Sequence, residues 1–206
     1  MPEIDGYEFC SMIKENLNTS HIPLILLTAK TSMQAKVQGL NTGADAYIEK
    51  PFSAQHLIAQ VQTLLNNREL IKTYYANTPT AQLNSIAFNK TDEEFLIKIN
   101  KIIEQNLNSA LLCVDFIADK LNMSRGTFYR KVKAVSNLSP NELILVSRLK
   151  IAAELLAENR YKVYEVSNKT GFSSQAQFTR NFTKQFRCTP SEYVESLKNK
   201  AINDKI

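Results

Sequence analysis

The chain has 206 residues and a formal net charge of +5, from 25 Lys and Arg against 20 Asp and Glu. It contains no apolar run of the 18 or so residues that a membrane-spanning helix needs, and it does not open on a signal-peptide pattern. Its three cysteines are far apart and lack C-x-x-C spacing or a nearby histidine pair. These features predict a cytoplasmic protein with reduced thiols and no metal site.

The positive charge is confined to one half of the chain. Residues 1–90 hold seven acids and seven bases, whereas residues 91–206 hold thirteen acids and eighteen bases. Within the basic half, residues 120–141 and 166–191 contain no acid at all. A solvated surface normally mixes both signs, but a face that contacts phosphate excludes carboxylates, which the DNA backbone would repel. The pattern favours nucleic-acid binding by the second half.

The length fits one or two domains, and the charge break favours two. We expect a domain at 1–70, a linker at 71–90 and a second domain at 91–206. The first of these alternates helix and strand, which implies a parallel α/β sheet. Its expected elements are a helix at 7–16, a strand at 23–28 buried on both faces, a helix at 32–42 stopped by Gly43, a strand at 46–48, and a helix capped by Ser53 with Leu57, Ile58, Val61, Leu64 and Leu65 inward.

Four short motifs follow one another along this segment. They are Met1-Pro2-x-x-Asp5-Gly6, Leu27-Thr28-Ala29, Gly43-Ala44-Asp45-Ala46-Tyr47 and Lys50-Pro51-Phe52. The segment resembles the second half of a response-regulator receiver domain, which has a flavodoxin-like fold. The resemblance implies that Thr28 and Lys50 contact an aspartyl phosphate, that Tyr47 switches rotamer, and that the bond before Pro51 is cis.

The same resemblance places the phospho-accepting aspartate before Met1, so we expect no phospho-acceptor in this chain. Asp5 belongs to the turn and does not fill that role. The acidic pair that binds Mg²⁺ would also lie upstream, so Mg²⁺ is expected only for a complete receiver and no cofactor is expected here. The chain thus reads as a receiver that begins partway through.

The connector, residues 71–90, has weak periodicity. Tyr74-Tyr75 can continue the preceding helix, and Asn77-Thr78-Pro79-Thr80 indicates a break. Thr91-Asp92-Glu93-Glu94 has the form of a capping box that opens a helix. That helix would carry Phe95, Ile99, Ile102, Ile103 and Leu107 along one face.

The second half contains a repeat at an offset of fifty residues. In each copy, one apolar residue lies two positions before an arginine and a second apolar residue lies two positions after it. A Ser/Thr-Pro-x-Glu helix start follows. The aligned residues are Phe128, Arg130, Val132, Pro140 and Glu142 in one copy, and Phe178, Arg180, Phe182, Pro190 and Glu192 in the other.

Each copy predicts a helix-turn-helix. The expected helices are 114–121 and 124–135 in the first copy and 163–170 and 174–186 in the second, joined by one long helix at 141–159. Gly171 suits the left-handed residue of the second turn. A rigid spacer could hold two recognition helices about 34 Å apart, the pitch of B-DNA, so that both enter the major groove. We therefore expect an all-α second domain.

Residues 91–198 resemble the DNA-binding domain of the AraC/XylS transcription-regulator family. The matching residues are Ile117-Ala118-x-x-Leu121-x-Met123-Ser124, Arg148-Leu149-x-x-Ala152-x-x-Leu155-Leu156, Gly171-Phe172, Phe178-x-x-x-Phe182 and Pro190-x-x-Tyr193. A receiver joined to such a domain resembles the output end of a hybrid two-component regulator. In the family, bases are contacted by early, outward positions of the recognition helices. Here these are Arg125, Gly126, Tyr129 and Arg130, then Gln175, Ala176, Thr179 and Arg180; Gly126 and Ala176 lack a polar group.

Chemistry divides these side chains into two classes. Arg130 and Arg180 suit guanine and Gln175 suits adenine, and Arg125, Tyr129 and Thr179 complete the expected base contacts. Phosphate contacts are expected from Lys131, Lys133, Lys184 and Arg187. Arg148 could contact phosphate or form an internal salt bridge.

The expected partner is double-stranded DNA, with homodimerisation or RNA polymerase contacts in addition. An enzyme is disfavoured because we find no nucleophile–base pair, no Gly-rich phosphate loop and no metal constellation, and His21 and His56 are isolated. A second alternative is a protein-interaction or dimerisation module with only non-specific DNA affinity. The acid-free windows argue against that alternative, since a scaffold has no need to exclude acids.

Overall fold

The computed structural model describes residues 5–29, 37, 39, 41–109 and 111–203, with side chains as far as residue 199. The N-terminal segment alternates helix and strand as predicted. Its elements are α1 (Gly6–Glu15), β1 (Ile25–Thr28), β2 (Ala46–Glu49) and α2 (Ala54–Asn77). Seven of the eleven residues of the helix expected at 32–42 lie outside the described residues; Val37, Gly39 and Asn41 are helical. Gly43, its expected stop, has φ +86°, which favours glycine.

The two strands form a parallel pair in which Ile25 faces Ala46 and Thr28 faces Glu49. The predicted parallel sheet is confirmed. The expectation that β1 is buried on both faces is wrong, since Leu27 is 39% exposed. Pairing with β2 covers one edge of β1, and the Leu27 side chain lies on a face that the described residues leave partly open.

A buried ion cluster joins the elements around this sheet. The Asp45 carboxylate accepts hydrogen bonds from Lys14 at 2.7 Å and from Arg68, and Arg68 also donates to the carbonyl of His21. Burial alone would raise the pKa of Asp45, but the bonds from Lys14 and from the Leu24 N–H lower it overall. The cluster links α1, the loop after it and α2.

Helix α2 continues through Tyr74 and the buried Tyr75 and ends at Asn77, as the sequence predicts. The predicted inward stripe is wrong at three of its five residues, because Ile58, Val61 and Leu65 are exposed, whereas Leu57 and Leu64 are half-buried. Nothing in the described part of the chain covers that side of the helix. The buried residues of α2, Arg68 and Tyr75, both lie in its C-terminal half.

The next helix, α3 (Lys90–Gln105), begins one residue before the predicted capping box. Its N-cap is Asn89, whose side chain accepts from the Asp92 N–H at 2.8 Å. The Thr91 hydroxyl donates instead to the Lys14 carbonyl at 2.9 Å. The predicted Thr91 cap is therefore wrong, since that hydroxyl is used in a contact between α3 and α1.

The remainder of the chain is helical. It comprises α4 (Val114–Lys120), α5 (Arg125–Ser136), α6 (Pro140–Ala157), α7 (Val163–Lys169), α8 (Gln175–Phe186) and α9 (Pro190–Asn203). Both predicted Ser/Thr-Pro-x-Glu starts form. The Ser139 and Thr189 hydroxyls accept hydrogen bonds from the backbone N–H groups of Glu142 and Glu192. The carboxylates of these two glutamates accept from the backbone N–H groups of Ser139 and Thr189. These hydrogen bonds lower the pKa of both carboxyls.

The helices pack around two separate hydrophobic cores. The first contains Phe128 and Val132 of α5, and the second contains Phe178 and Phe182 of α8. Helix α6 contributes to both cores, with Leu143, Ile144 and Val146 in the first and Leu149, Ala152, Ala153 and Leu156 in the second. The predicted architecture is confirmed: an α/β segment precedes an all-α part with two helix-turn-helix units on one long helix.

Candidate nucleic-acid interface

The turns between α4 and α5 and between α7 and α8 have the same construction. A residue with positive φ follows the first helix in each, Asn122 at φ 53° and Gly171 at φ 75°. A backbone hydrogen bond then closes each turn, from Met123 to Ala118 at 2.9 Å and from Phe172 to Ser167 at 3.2 Å. Asparagine tolerates the left-handed region better than most residues, so the two sequences reach one geometry by different residues.

The second helix of each unit starts with a serine cap and carries no acid in its first turn. The hydroxyls of Ser124 and Ser174 accept from the N–H groups three residues later, both at 3.2 Å. A helix N-terminus without carboxylates has a positive end that favours an anion. The expected recognition helices, α5 and α8, thus both present an end suited to a phosphodiester backbone.

The expected base-contacting side chains lie on the outer faces of these helices. Arg125, Tyr129 and Arg130 are exposed on α5, and Gln175 and Arg180 are exposed on α8. Thr179 is half-buried. Because Arg130 and Arg180 occupy the same repeat position, the two copies present guanidinium groups in equivalent places.

The expected phosphate-contacting residues divide into two groups. Lys133, Lys184 and Arg187 are exposed, and Lys133 donates to the Asn137 carbonyl at 2.6 Å. Lys131 is 2% exposed and forms an ion pair with Asp92. Burial lowers the pKa of Lys131, while the bond to Asp92 opposes the shift. The expectation that Lys131 contacts phosphate does not fit this arrangement, because its ammonium is enclosed.

Two family models match the chain in the places that this geometry indicates. Residues 117–196 match the helix-turn-helix domain, and residues 1–62 match the response regulator receiver domain. The chain joins a receiver segment to an AraC-type helix-turn-helix domain. We call residues 91–206 the AraC-type reader and residues 1–70 the receiver segment; these limits remain predictions from the sequence.

Two curated relatives are similar to this chain. "Histidine kinase P4" of Formosa agariphila is 40% identical over 193 residues, which cover 94% of this chain and 14% of that protein. "Transcriptional activator AggR" of Escherichia coli is 30% identical over 143 residues, which cover 69% of this chain and 48% of that one. The chain thus spans half or less of the length of these two relatives.

Solved structures are similar to about half of this chain. An AraC-type transcriptional regulator from Chromobacterium violaceum is 26% identical with a TM-score of 0.49, covering 53% of this chain and 96% of that one. The C-terminal domain of AraT, a response regulator from Geobacillus stearothermophilus, is 24% identical with a TM-score of 0.44, covering 48% of this chain and 83% of that one.

In the receiver segment, the residues implied by resemblance lie at one end of the sheet. Thr28 ends β1, Lys50 directly follows β2, and the Lys50 N–H donates to the Thr28 carbonyl at 2.8 Å. The Lys50–Pro51 peptide bond is cis, as the resemblance implied. Tyr47 lies on β2, opposite Leu26 in the strand register. The roles of these residues toward a phosphate remain predictions.

Arg148 fits neither of its two expected roles. Its guanidinium donates to the carbonyls of Gly171 at 3.5 Å and Leu107 at 3.3 Å. Burial lowers its pKa. Arg148 therefore joins the second turn of the reader to the segment after α3, and we call this contact the Arg148 seam.

Two acidic partners of these basic side chains were not identified as such from the sequence. Asp115 forms an exposed ion pair with Arg125 at 3.2 Å, and Asp92 is the buried partner of Lys131. The pair with Asp115 could have been anticipated, because Asp115 lies in the first turn of α4, the helix that precedes the recognition helix of the same copy. Asp92 carried no such signal, since 39 residues separate it from Lys131.

Among the described residues, no helix is long and apolar enough to cross a membrane. The same residues contain no group of three or more His, Cys, Asp or Glu side chains that could hold a metal ion.

Proposed function

We propose that this chain is a sequence-specific DNA-binding transcription regulator, the output portion of a two-component phosphorelay protein. The observation that carries the proposal is the pair of equivalent recognition helices, α5 and α8. Each presents an exposed arginine at the same repeat position on a helix whose first turn is free of acids. Two such helices suit two adjacent segments of the major groove.

The proposed contacts follow from exposure and chemistry. Base contacts are assigned to Arg125, Tyr129, Arg130, Gln175, Thr179 and Arg180, because arginine pairs with guanine and glutamine with adenine in the major groove. Phosphate contacts are assigned to Lys133, Lys184 and Arg187, which set the register without reading sequence. Lys131 is removed from the proposed interface because its ammonium is buried against Asp92.

The remaining parts of the proposal concern partners and location. Double-stranded DNA is the ligand, with homodimerisation or RNA polymerase contacts as further partners, and the site of action is the cytoplasm. No catalytic role is proposed, because the DNA-binding surface needs none. The receiver segment would act on the reader by contact.

The test is selection by the complete chain from a pool of random duplexes, followed by titration of the enriched sequence at two salt concentrations. We expect a motif with two half-sites separated by about 10 base pairs, one turn of B-DNA. Weak binding with a steep salt dependence and no enriched motif would contradict sequence-specific reading. It would support instead a protein-interaction module with only non-specific DNA affinity.

A further inference from the structure

The two reading units have separate cores, so their relative position depends on what joins them. Helix α6 passes through both cores, and the Arg148 seam adds hydrogen bonds to Gly171 and Leu107. Both joints lie within the AraC-type reader. A third connection comes from outside it, from the C-terminal half of α2, and it touches both recognition helices.

Helix α2 first contacts the end of recognition helix α5. The Lys72 ammonium donates to the Ala134 carbonyl at 2.9 Å and to the Asn137 side-chain oxygen at 3.0 Å. The Asn137 amide donates in turn to the Glu69 carboxylate at 2.6 Å. Asn137 is the left-handed C-cap of α5, so α2 holds the point where this helix ends.

One turn further on, α2 contacts recognition helix α8. The Gln185 side-chain amide donates to the Ala76 carbonyl at 2.7 Å. Fifty residues earlier, the equivalent position in the first copy is Val135, a buried core residue. The second copy thus carries a hydrogen-bond donor where the first carries a core side chain, and that donor is directed at α2.

The last carbonyls of α2 are suited to such contacts. A helix C-terminus leaves its final carbonyl groups without partners inside the helix and carries a partial negative charge. Gln185 uses one of these carbonyls, and Lys150 of α6 donates to the Thr78 carbonyl at the C-cap. Lys72 and Ala76 are four residues apart, so their backbone positions lie about 6 Å apart along the helix axis.

We infer that the C-terminal part of α2 is a bridge that fixes the placement of the two recognition helices relative to each other, with Lys72 and Gln185 as positioning residues. The inference rests on the proposed function and deepens it. The receiver-derived helix would set which spacing between half-sites the reader accepts, while the recognition helices set which bases it reads. Neither Lys72 nor Gln185 needs to touch DNA.

The primary test is independent of DNA. In the complete chain with Cys113→Ser and Cys188→Ser, spin labels at Gly126→Cys and Ala176→Cys would report the distance between the starts of α5 and α8. An added side chain at Gly126 meets no atom within 4 Å. We expect a narrow distance distribution, which broadens when Lys72→Met and Gln185→Met are introduced together. The matched control is the pair Lys98→Met and Gln105→Met, two exposed residues of α3.

The second readout uses DNA and unlabelled chains. Insertion of one base pair between half-sites rotates one relative to the other by about 35°, and we expect about tenfold weaker binding by the parent chain. For the Lys72→Met/Gln185→Met variant we expect the same insertion to weaken DNA binding less than about threefold. The preferred bases in each half-site should be unchanged. Circular dichroism and each single substitution would confirm that the variants fold.

The outcomes separate this inference from the proposed function. An unchanged distance distribution in the double variant would overturn the bridge, whatever the chain does with DNA. The bridge would also be overturned if the distance distribution broadened but the inserted base pair still weakened binding about tenfold. In that case α6 and the Arg148 seam would be enough to fix the two recognition helices on the duplex. Failure of the parent chain to select any motif would overturn the proposed function, and the distance measurement would still decide on the bridge.

Discussion

The ammonium of Lys131 and the carboxylate of Asp92 form an ion pair that is enclosed on all sides. The hydroxyl of Ser20 completes it, accepting from Lys131 at 2.7 Å and donating to Asp92 at 2.7 Å. Ser20 belongs to the loop after α1, and its carbonyl accepts from Asn89 at 2.7 Å. The receiver segment therefore closes over a charged pair that belongs to the reader.

Asp92→Asn should destabilise the chain strongly. The substitution leaves the Lys131 ammonium buried without a counter-charge, which typically costs about 3–5 kcal/mol. Urea denaturation would measure the change in the free energy of unfolding. Asp115→Asn is the matched control, since the pair with Arg125 is exposed and should contribute less than about 1 kcal/mol. Equal costs for the two substitutions would contradict the enclosed pair.

Lys133→Met and Lys131→Met should differ in their effect on DNA binding. Removing a phosphate contact lowers the slope of log affinity against log salt by about 1. We expect that reduction for the exposed Lys133 and none for Lys131, measured below the unfolding temperature of both variants. A reduced slope for Lys131→Met would return this residue to the interface.

Arg180→Ala and Lys184→Ala should separate reading from binding. The first should lose preference at one base position, at a cost of about 1–3 kcal/mol, because the guanidinium is proposed to pair with guanine. The second should weaken all sequences alike and lower the salt slope by about 1. Selection and salt titration of each variant measure both effects; identical base preferences and slopes would argue against the division.

Gly171→Ala and Gly126→Ala should have opposite effects on stability. At Gly171 the backbone is left-handed and an added Cβ would lie 2.1 Å from the Leu107 carbonyl oxygen, so both strain and overlap oppose it. We expect a loss of about 2 kcal/mol or more. At Gly126 the space is open, and helix propensity favours alanine by about 1 kcal/mol. Thermal denaturation of the two variants would show the contrast.

Lys150 should contribute a rise in the stability of the chain between about pH 8 and pH 10. Burial lowers the pKa of Lys150 from 10.5 to about 8, so between these values the unfolded chain binds a proton that the folded chain does not. Stability increases with pH where the unfolded state binds more protons, here by up to about 3 kcal/mol. The Lys150→Met variant should show a smaller slope in urea denaturation across this range; an unchanged slope would exclude Lys150 as its source.

Much of the reader could be predicted because its signals are local. The capping residues Ser139 and Thr189 and the apolar stripes of α5 and α8 depend on spacing within one helix or turn, and the structure confirms them. What could not be predicted depends on distant partners. Lys131 has the sequence context of a surface lysine, and its burial is decided by Asp92 and Ser20, which come from elsewhere in the chain.

The same distinction explains the other corrections. The sequence predicts Thr91 as the cap of α3, but Asn89 caps the helix and the Thr91 hydroxyl donates to the Lys14 carbonyl of α1. The stripe of Ile58, Val61 and Leu65 has helical periodicity, but periodicity shows which residues share a face and not whether that face is covered. Arg148 was expected to meet a charged group, yet it uses two carbonyls that lie 41 and 23 residues away.

The two hydrophobic cores are unequal, and this has a consequence for how the protein opens. Among the described residues, 17 buried side chains form the core beneath α5, whereas nine form the core beneath α8. Cooperative units with fewer buried contacts exchange their amide protons at lower free energy. Helices α7, α8 and α9 should therefore lose protection as a unit before α3 to α5 do. A protease acting on the native protein would then cut first in the second helix-turn-helix unit and leave the first unit intact.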